Sequence, residues 1–266
     1  MTGTALVTVD TDARGVATVT LNRPERHNAL SAALIDELEA VLAGLNADRA
    51  VRVVVLAAIG PTFCAGADIE EMRTAGTAST VDNEREARRL ASLLAHLDGL
   101  AHPTVARVQG NAFGGALGLI AACDVAVAVE AAQFALTEVR LGLVPAMISP
   151  YVLRAIGPRQ ARRYVLTADR FGAVAAERMG LLHVVAPPAG LDAAVAGIVT
   201  ELLRGAPGAQ AEAKRLIRRV SGRSDAADRE LALETASWIA RLRASEEGRE
   251  GLSAFLERRP PAWRRD

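Results

Sequence analysis

The chain has 266 residues, half of them hydrophobic and 23% charged, which suits one large globular domain or two small ones and is too apolar for long disorder. Lys+Arg and Asp+Glu both number 31, so no basic surplus marks a nucleic-acid or acidic-membrane surface, and 3% aromatics offer no base-stacking platform. Lys214 is the one lysine among the basic residues, a bias read as compositional because alanine is also abundant. Residues 1–10 carry neither the basic start nor the apolar run of a leader, so a cytoplasmic protein is expected. Alternation over 5–9 and 16–21, about a turn at 10–15, predicts a β-hairpin. A polar loop over 22–30 leads to Ser31, an N-cap for a helix with Leu34, Leu38, Val41, Leu42 and Leu45 on one face. Residues 51–57 read as a strand buried on both faces, 59–67 as a loop, and a helix opens near Asp68. A charged amphipathic helix over 81–100, a strand over 104–108, a glycine-rich turn at 110–115, a short helix over 116–122 and a strand over 125–129 follow. These strand–helix–strand units predict an α/β core with right-handed crossovers. Helices are expected over 149–156, 158–166 and 173–179, with a short strand at 183–185. From 191 to 256 the chain reads as helix, with breaks near 205–208 and 221–224 and a tail over 258–266 that frays. The most apolar stretch, 114–129, is broken by Asp124 and is short of the ~20 residues needed to span a bilayer.

Several common site patterns are missing. There is no P-loop, no dinucleotide-type glycine fingerprint and no nucleophile elbow, and the four histidines lack ligand spacing. Cys64 and Cys123 form neither a zinc pattern nor a disulfide framework and read as small buried hydrophobes. Three segments carry chemistry. Phe63-Cys64-Ala65-Gly66-Ala67-Asp68-Ile69 joins a buried strand to a helix through small residues. A ligand can approach that backbone closely, and the free N–H groups of a helix start suit a developing oxyanion. Gly110 to Gly118 repeats the arrangement, with Gly114-Gly115 opening a helix; two such loops meeting at one crevice would form an oxyanion hole. Both loops equally suit ordinary tight strand–helix packing. In the third segment, 134–145, Glu138 stands among apolar neighbours. Burial would raise its pKa toward the range useful for proton transfer, whereas solvation or pairing with Arg140 would not.

Taken together, Asn22-Arg23-Pro24 with Asn28-Ala29-Leu30, Phe63 to Asp68, Gly110 with Phe113-Gly114-Gly115, Ala122-Cys123-Asp124, and Glu138 with Gly142 and Pro145 resemble the enoyl-CoA hydratase/isomerase (crotonase) superfamily. The likeness runs in order from about Leu6 to Arg259, and residues 250–259 resemble that family's last helix. The resemblance implies a ββα-spiral core over 1–190 and a helical trimerisation region over 191–266, assembled as a homotrimer or dimer of trimers. It implies an acyl-CoA thioester as substrate and no metal or separate organic cofactor. The thioester carbonyl would sit between the backbone N–H groups of Ala67 and Gly115. Arg26, His27, Ala29, Ala65, Ala67, Asp68 and Ile69 would hold the CoA, with adenine near Ala65, Ala67 and Ile69. Phe255 and Arg258 match positions where a neighbouring subunit's final helix touches the nucleotide.

One position departs from the family pattern. Hydratases of the two-glutamate kind carry a second carboxylate where this chain has Gly118, so Glu138 stands as the principal acid–base group. Gly118 is then a helix-packing glycine or one that makes room for substrate. The sequence around 113–119 and 136–151, including Ser149-Pro150-Tyr151, looks most like bacterial members assigned to methylglutaconyl-CoA or carboxygeranoyl-type CoA hydration. The expected activity is therefore a lyase acting on a branched or carboxylated enoyl-CoA. A single-glutamate Δ3,Δ2-enoyl-CoA isomerase and a non-catalytic CoA-thioester binder are the alternatives.

Overall fold

In the computed structural model, which describes residues 5–264, β3 (Val53–Ala58) is buried throughout and has a parallel neighbour on each side. The first four residues of the segment read for a leader, and Arg265 and Asp266 of the tail, lie outside the described residues. Around β3 stands a six-stranded sheet in which β1 (Val7–Thr11), β2 (Val16–Leu21), β3, β5 (Thr104–Val108), β7 (Val125–Val129) and β10 (Val184–Ala186) follow in that order. Only the β1–β2 hairpin is antiparallel. A second sheet runs β4 (Thr62–Cys64), β6 (Asn111–Phe113), β8 (Gln133–Ala135) and β9 (Phe171–Gly172). Three successive passes, β3–β4, β5–β6 and β7–β8, each lay a long strand in the large sheet and a short one in the small sheet. The small-sheet strands correct the reading of 59–67 and 110–115 as plain loops. Two or three residues are too few to show a two-residue period.

Helices close the layers. Ser31 caps α1 (Ala32–Ala47), its hydroxyl accepting from Leu34 N–H at 3.3 Å. Then come α2 (Ile69–Thr77), α3 (Thr80–Gly99) and α4 (Gly115–Ala122). The two helices expected over 149–156 and 158–166 are both present, and together they make up α5 (Ser149–Thr167), broken between them where Gly157 leaves helical geometry at φ 73° ahead of Pro158. After α6 (Ala173–Met179), α7 (Leu191–Arg204) buries Leu191, Val195 and Val199 against the large sheet. Next are α8 (Pro207–Val220), α9 (Asp225–Arg243), which lies along α3, and α10 (Glu246–Leu256). The break between α9 and α10, which the sequence did not signal, is made by Ser245, the N-cap of α10. The tail does not fray over its described part. Arg259 pairs with Glu250 at 2.6 Å, and Ala262 N–H donates to the same carboxylate at 2.8 Å. Cys64 and Cys123 are buried as expected, and burial pushes each thiol up to about 12. Among the described residues no helix is long and apolar enough to cross a membrane.

Candidate active site

Two loops abut at the carboxyl ends of β4 and β6. The first is pinned by the turn before α1: Ala65 N–H donates to His27 C=O at 2.9 Å, Leu30 N–H to Gly66 C=O at 2.8 Å and Asp68 N–H to Leu30 C=O at 3.2 Å. The turn is held by the buried Asn28 side chain, which donates to the carbonyls of Ile59 and Thr62, both at 3.0 Å, and accepts from Arg23 N–H at 2.9 Å. Gly66 sits at φ 92°, and a Cβ there would stand 2.7 Å from Phe113 C=O, so both conformation and space require glycine. Asp68 caps α2 and pairs with Arg23 at 3.2 Å.

The second loop is tied to β8 by Gly114 N–H, which donates to Ala135 C=O at 2.9 Å. Gly114, at φ 51°, begins α4 without any side-chain cap. An ideal Cβ on Gly115 would lie 3.8 Å from the Ala67 nitrogen. Neither the Ala67 nor the Gly115 N–H donates to an acceptor among the described residues, and both residues border one cavity. Two free donors at one cavity are what a developing oxyanion requires.

Glu138 opens a single 3-10 turn, Glu138–Leu141, that follows β8. Its Oε1 is 3.1 Å from where a Cβ on Gly114 would stand, so the carboxylate lies directly over the second loop. Although the residue as a whole is only half-buried, Oε2 is sealed from solvent and has no hydrogen-bond partner among the described residues. Burial pushes the carboxyl up to about 7, its own backbone N–H pulling weakly the other way. The solvated and Arg140-paired alternatives are not found: Arg140 turns to Thr167 C=O instead.

The cavity beside Glu138 is small, about 60 Å³, and otherwise mostly apolar, with Met72, Leu90, Val144, Met147, Ile148 and Ile239 in its wall. Gly118 does not border it. A Cβ at Gly118 would stand 2.4 Å from Ile148 Cγ2 and 3.1 Å from Leu94 Cδ1, so this glycine serves helix packing. The idea of open space above Gly118 for substrate is thereby corrected, because Ile148 fills it.

A larger cleft of about 640 Å³ adjoins the loops and is bordered by Arg26, Ala29, Ala65, Ala67, Asp68 and Ile69, as the sequence suggested. The carboxylate of Asp68 is already engaged by its cap and by Arg23, and Arg26 pairs with Glu70 at 3.0 Å. Two expected members are elsewhere. The His27 ring meets Thr62 Oγ1 at 3.1 Å, and the residue contributes its carbonyl to the loop instead. Arg258 follows α10 at φ 54° and is not in the lining, where Arg259 stands in its place.

Phe255 borders the cleft from the α10 of its own chain. The reason is a backbone-to-backbone fit: a Cβ on Gly251 would stand 2.3 Å from Leu141 C=O, and one on Gly142 would stand 2.4 Å from Glu247 C=O. Arg140 and Arg170 also reach the cleft, and neither makes an ion pair among the described residues. Arg170 lies 5.4 Å over the Phe113 ring. In a chain whose cations are nearly all arginine, no sequence signal singles these two out.

The family model described as enoyl-CoA hydratase/isomerase matches residues 11–266. A crystal structure of an enoyl-CoA hydratase from Mycobacterium avium is similar at TM-score 0.84 and 40% identity, covering 98% of this chain and 100% of that one. One from Shewanella pealeana gives TM-score 0.79 and 42% identity over 97% and 96% of the two chains. The mevalonyl-coenzyme A hydratase sidH of Aspergillus fumigatus is 32% identical over 247 residues, 92% of this chain and 90% of its own.

Proposed function

The chain belongs to the enoyl-CoA hydratase/isomerase (crotonase) superfamily and is an enzyme of that family, and from this premise we propose that it adds or removes water across the 2,3 double bond of a short, branched enoyl-CoA with Glu138 as its one acid–base group. The observation that carries the reading is the unpartnered, buried Glu138 Oε2 beside two free backbone donors. In hydration, the Glu138 carboxylate takes a proton from water as the water oxygen bonds to C3. The displaced electron pair moves to the thioester oxygen, held by Ala67 N–H and Gly115 N–H. As the enolate collapses, C2 takes the proton from Glu138, and the sum is one added water. A carboxyl held near 7 suits both halves of that exchange.

The compartment beside Glu138, about 60 Å³ against about 640 Å³ for the adjoining cleft, favours a small acyl group. The methylglutaconyl-type alternative would bring a second carboxylate into a compartment bordered by no cation, so a branched apolar chain fits better. Arg140 and Arg170 supply unpaired charge for the CoA phosphates along the larger cleft. Assembly belongs to region 191–266, where α8 buries no residue and exposes Leu216, Ile217 and Val220; a homotrimer or dimer of trimers would cover them. Light scattering at micromolar concentration tests this, and a monomer contradicts it.

A Δ3,Δ2-enoyl-CoA isomerase is the second reading. It is favoured by Glu138 being the one titratable side chain on the compartment, since one carboxylate can carry a proton from C2 to C4. Absorbance at the conjugated-thioester band separates the readings. With 3-hydroxyacyl-CoA and 3-enoyl-CoA offered separately, a hydro-lyase responds to the first, an isomerase to the second and a pure binder to neither.

A further inference from the structure

Beyond the acyl compartment lies a second space, a groove of about 570 Å³ open to solvent and walled by α3, α5 and α9, and Met147 borders both spaces. From Met147 the chain enters α5, and Tyr151 and Arg154 follow about one helical turn apart along the wall of this cavity. Part of the lining is apolar, including Ala91, Ala95 and Leu231. The rest is a charge cluster. Asp98 accepts from Arg223 at 2.7 Å and Arg154 at 3.2 Å, and Arg223 and Arg218 both reach Asp228, at 3.0 and 2.9 Å.

The cluster is unevenly engaged. Arg223 holds two aspartates, and Arg218 pairs with three. Arg154 makes a single hydrogen bond to Asp98 while its guanidinium lies 4.8 Å over the Tyr151 ring. Four of its five N–H donors have no acceptor among the described residues, and the side chain borders a groove large enough for a chain. A methyl terminus arriving there would strip water from those donors and return nothing, whereas a carboxylate would form charge-assisted hydrogen bonds with them. The partition between the two spaces is Met147, an unbranched and readily rotated side chain.

Resting on the acyl-CoA reading above, we propose that this cavity receives the distal part of a long acyl chain and that Arg154 binds a carboxylate at its end, so that ω-carboxyacyl-CoA thioesters form a second substrate class. A short dicarboxylic chain ends before Met147 and does not qualify. A longer one passes Met147 and reaches the arginine.

The test is equilibrium binding by calorimetry, which needs no turnover. Saturated acyl-CoAs of increasing length, each made with a methyl or a carboxylate terminus, are titrated into the wild type, Arg154→Gln and Ala95→Trp. Beyond the length that reaches Arg154, the carboxylate form binds the wild type about tenfold or more tightly than the methyl form. Arg154→Gln abolishes that ratio; Asp98 keeps Arg223 as its partner, so the fold is not at risk. Ala95→Trp, at an exposed position on α3, fills the cavity and weakens both long thioesters relative to butyryl-CoA. A carboxylate terminus that gains nothing at any length, or a preference that survives Arg154→Gln, overturns the proposal. Hydration of short linear and branched enoyl-CoAs, measured in parallel, tests the hydratase reading separately: no turnover of any of them alongside intact carboxylate selectivity would sink the mechanism and leave the cavity assignment standing.

Discussion

Two sides of the acyl compartment are built on opposite principles. On one, backbone and carboxylate are left unsatisfied: Ala67 N–H, Gly115 N–H and Glu138 Oε2 have no hydrogen-bond partner among the described residues. On the other, around Gly118, everything is filled, with Ile148 and Leu94 packed where a side chain on the glycine would go. Reactivity is concentrated where the fold tolerates incomplete hydrogen bonding, and stability where it tolerates no gap. Glu138 and Gly118 are thus not two halves of an acid–base pair with one half deleted. The second place is occupied by hydrocarbon.

The contrast can be broken most severely at Glu138. Glu138→Gln keeps the shape and removes the proton carrier, and kcat is expected to fall about 10²–10⁴-fold with CoA binding retained, as steady-state kinetics and calorimetry will show. Unchanged turnover would remove Glu138 from the mechanism. The same variant sharpens the comparison in stability. The Glu138 pKa rises from 4.5 to about 7 on folding, so its neutral form supports the fold below pH 4.5, and that support is lost as pH rises through about 7. Thermal melts should therefore show Glu138→Gln gaining on the wild type at pH 8.5 and matching it at pH 5.

Gly115→Val comes next. Its Cβ would meet Leu30 Cδ1 at 3.0 Å and stand 3.8 Å from the Ala67 nitrogen, with the valine methyls entering the space between the two donors. Disturbing one oxyanion donor lowers kcat about 10²–10³-fold. An acyl-CoA complex with the carbonyl oxygen away from both nitrogens would sink this assignment. The pH profile is a smaller effect: hydration needs the Glu138 carboxylate, so kcat/KM should fall about tenfold per pH unit below about 7. A profile flat to pH 5.5 would contradict a buried base.

Gly118→Glu probes the filled side and gives the smallest catalytic change. It is expected to lose about 1–3 kcal/mol of stability through overpacking and to gain nothing on crotonyl-CoA. Adding Ile148→Ala should recover part of that stability, read by chemical denaturation. A stable single variant with improved crotonyl-CoA hydration would show that Ile148 leaves room after all.

What could be read from the sequence was what short-range chemistry decides. Ser31 and Asp68 announce their helices because a cap acts within three residues, and Gly66 and Gly114-Gly115 mark close backbone approaches through missing side chains. The family resemblance supplied the spiral, which β4, β6 and β8 are too short to reveal by pattern. The contact between Gly118 and Ile148 joins α4 to the start of α5, and no local rule foretells it. Arg140 and Arg170 were hidden by abundance, since arginine is nearly everywhere in this chain. Phe255 borders the cleft because α10 folds back on its own turn through the Gly142 and Gly251 contacts, a long-range fit that no local pattern signals.

That fold-back bears on the order in which the molecule becomes active. The turn carrying Glu138 is gripped by α10, through glycines at 142 and 251 that admit no side chain. On the ribosome, the sheets and the first oxyanion loop can form while synthesis continues, because their contacts need only residues already made. The Glu138 turn cannot be locked until residues 246–256 have emerged. A nascent chain therefore holds the two loops before the Glu138 turn is clasped, and completing the candidate site takes a loop closure of more than a hundred residues as its entropic barrier.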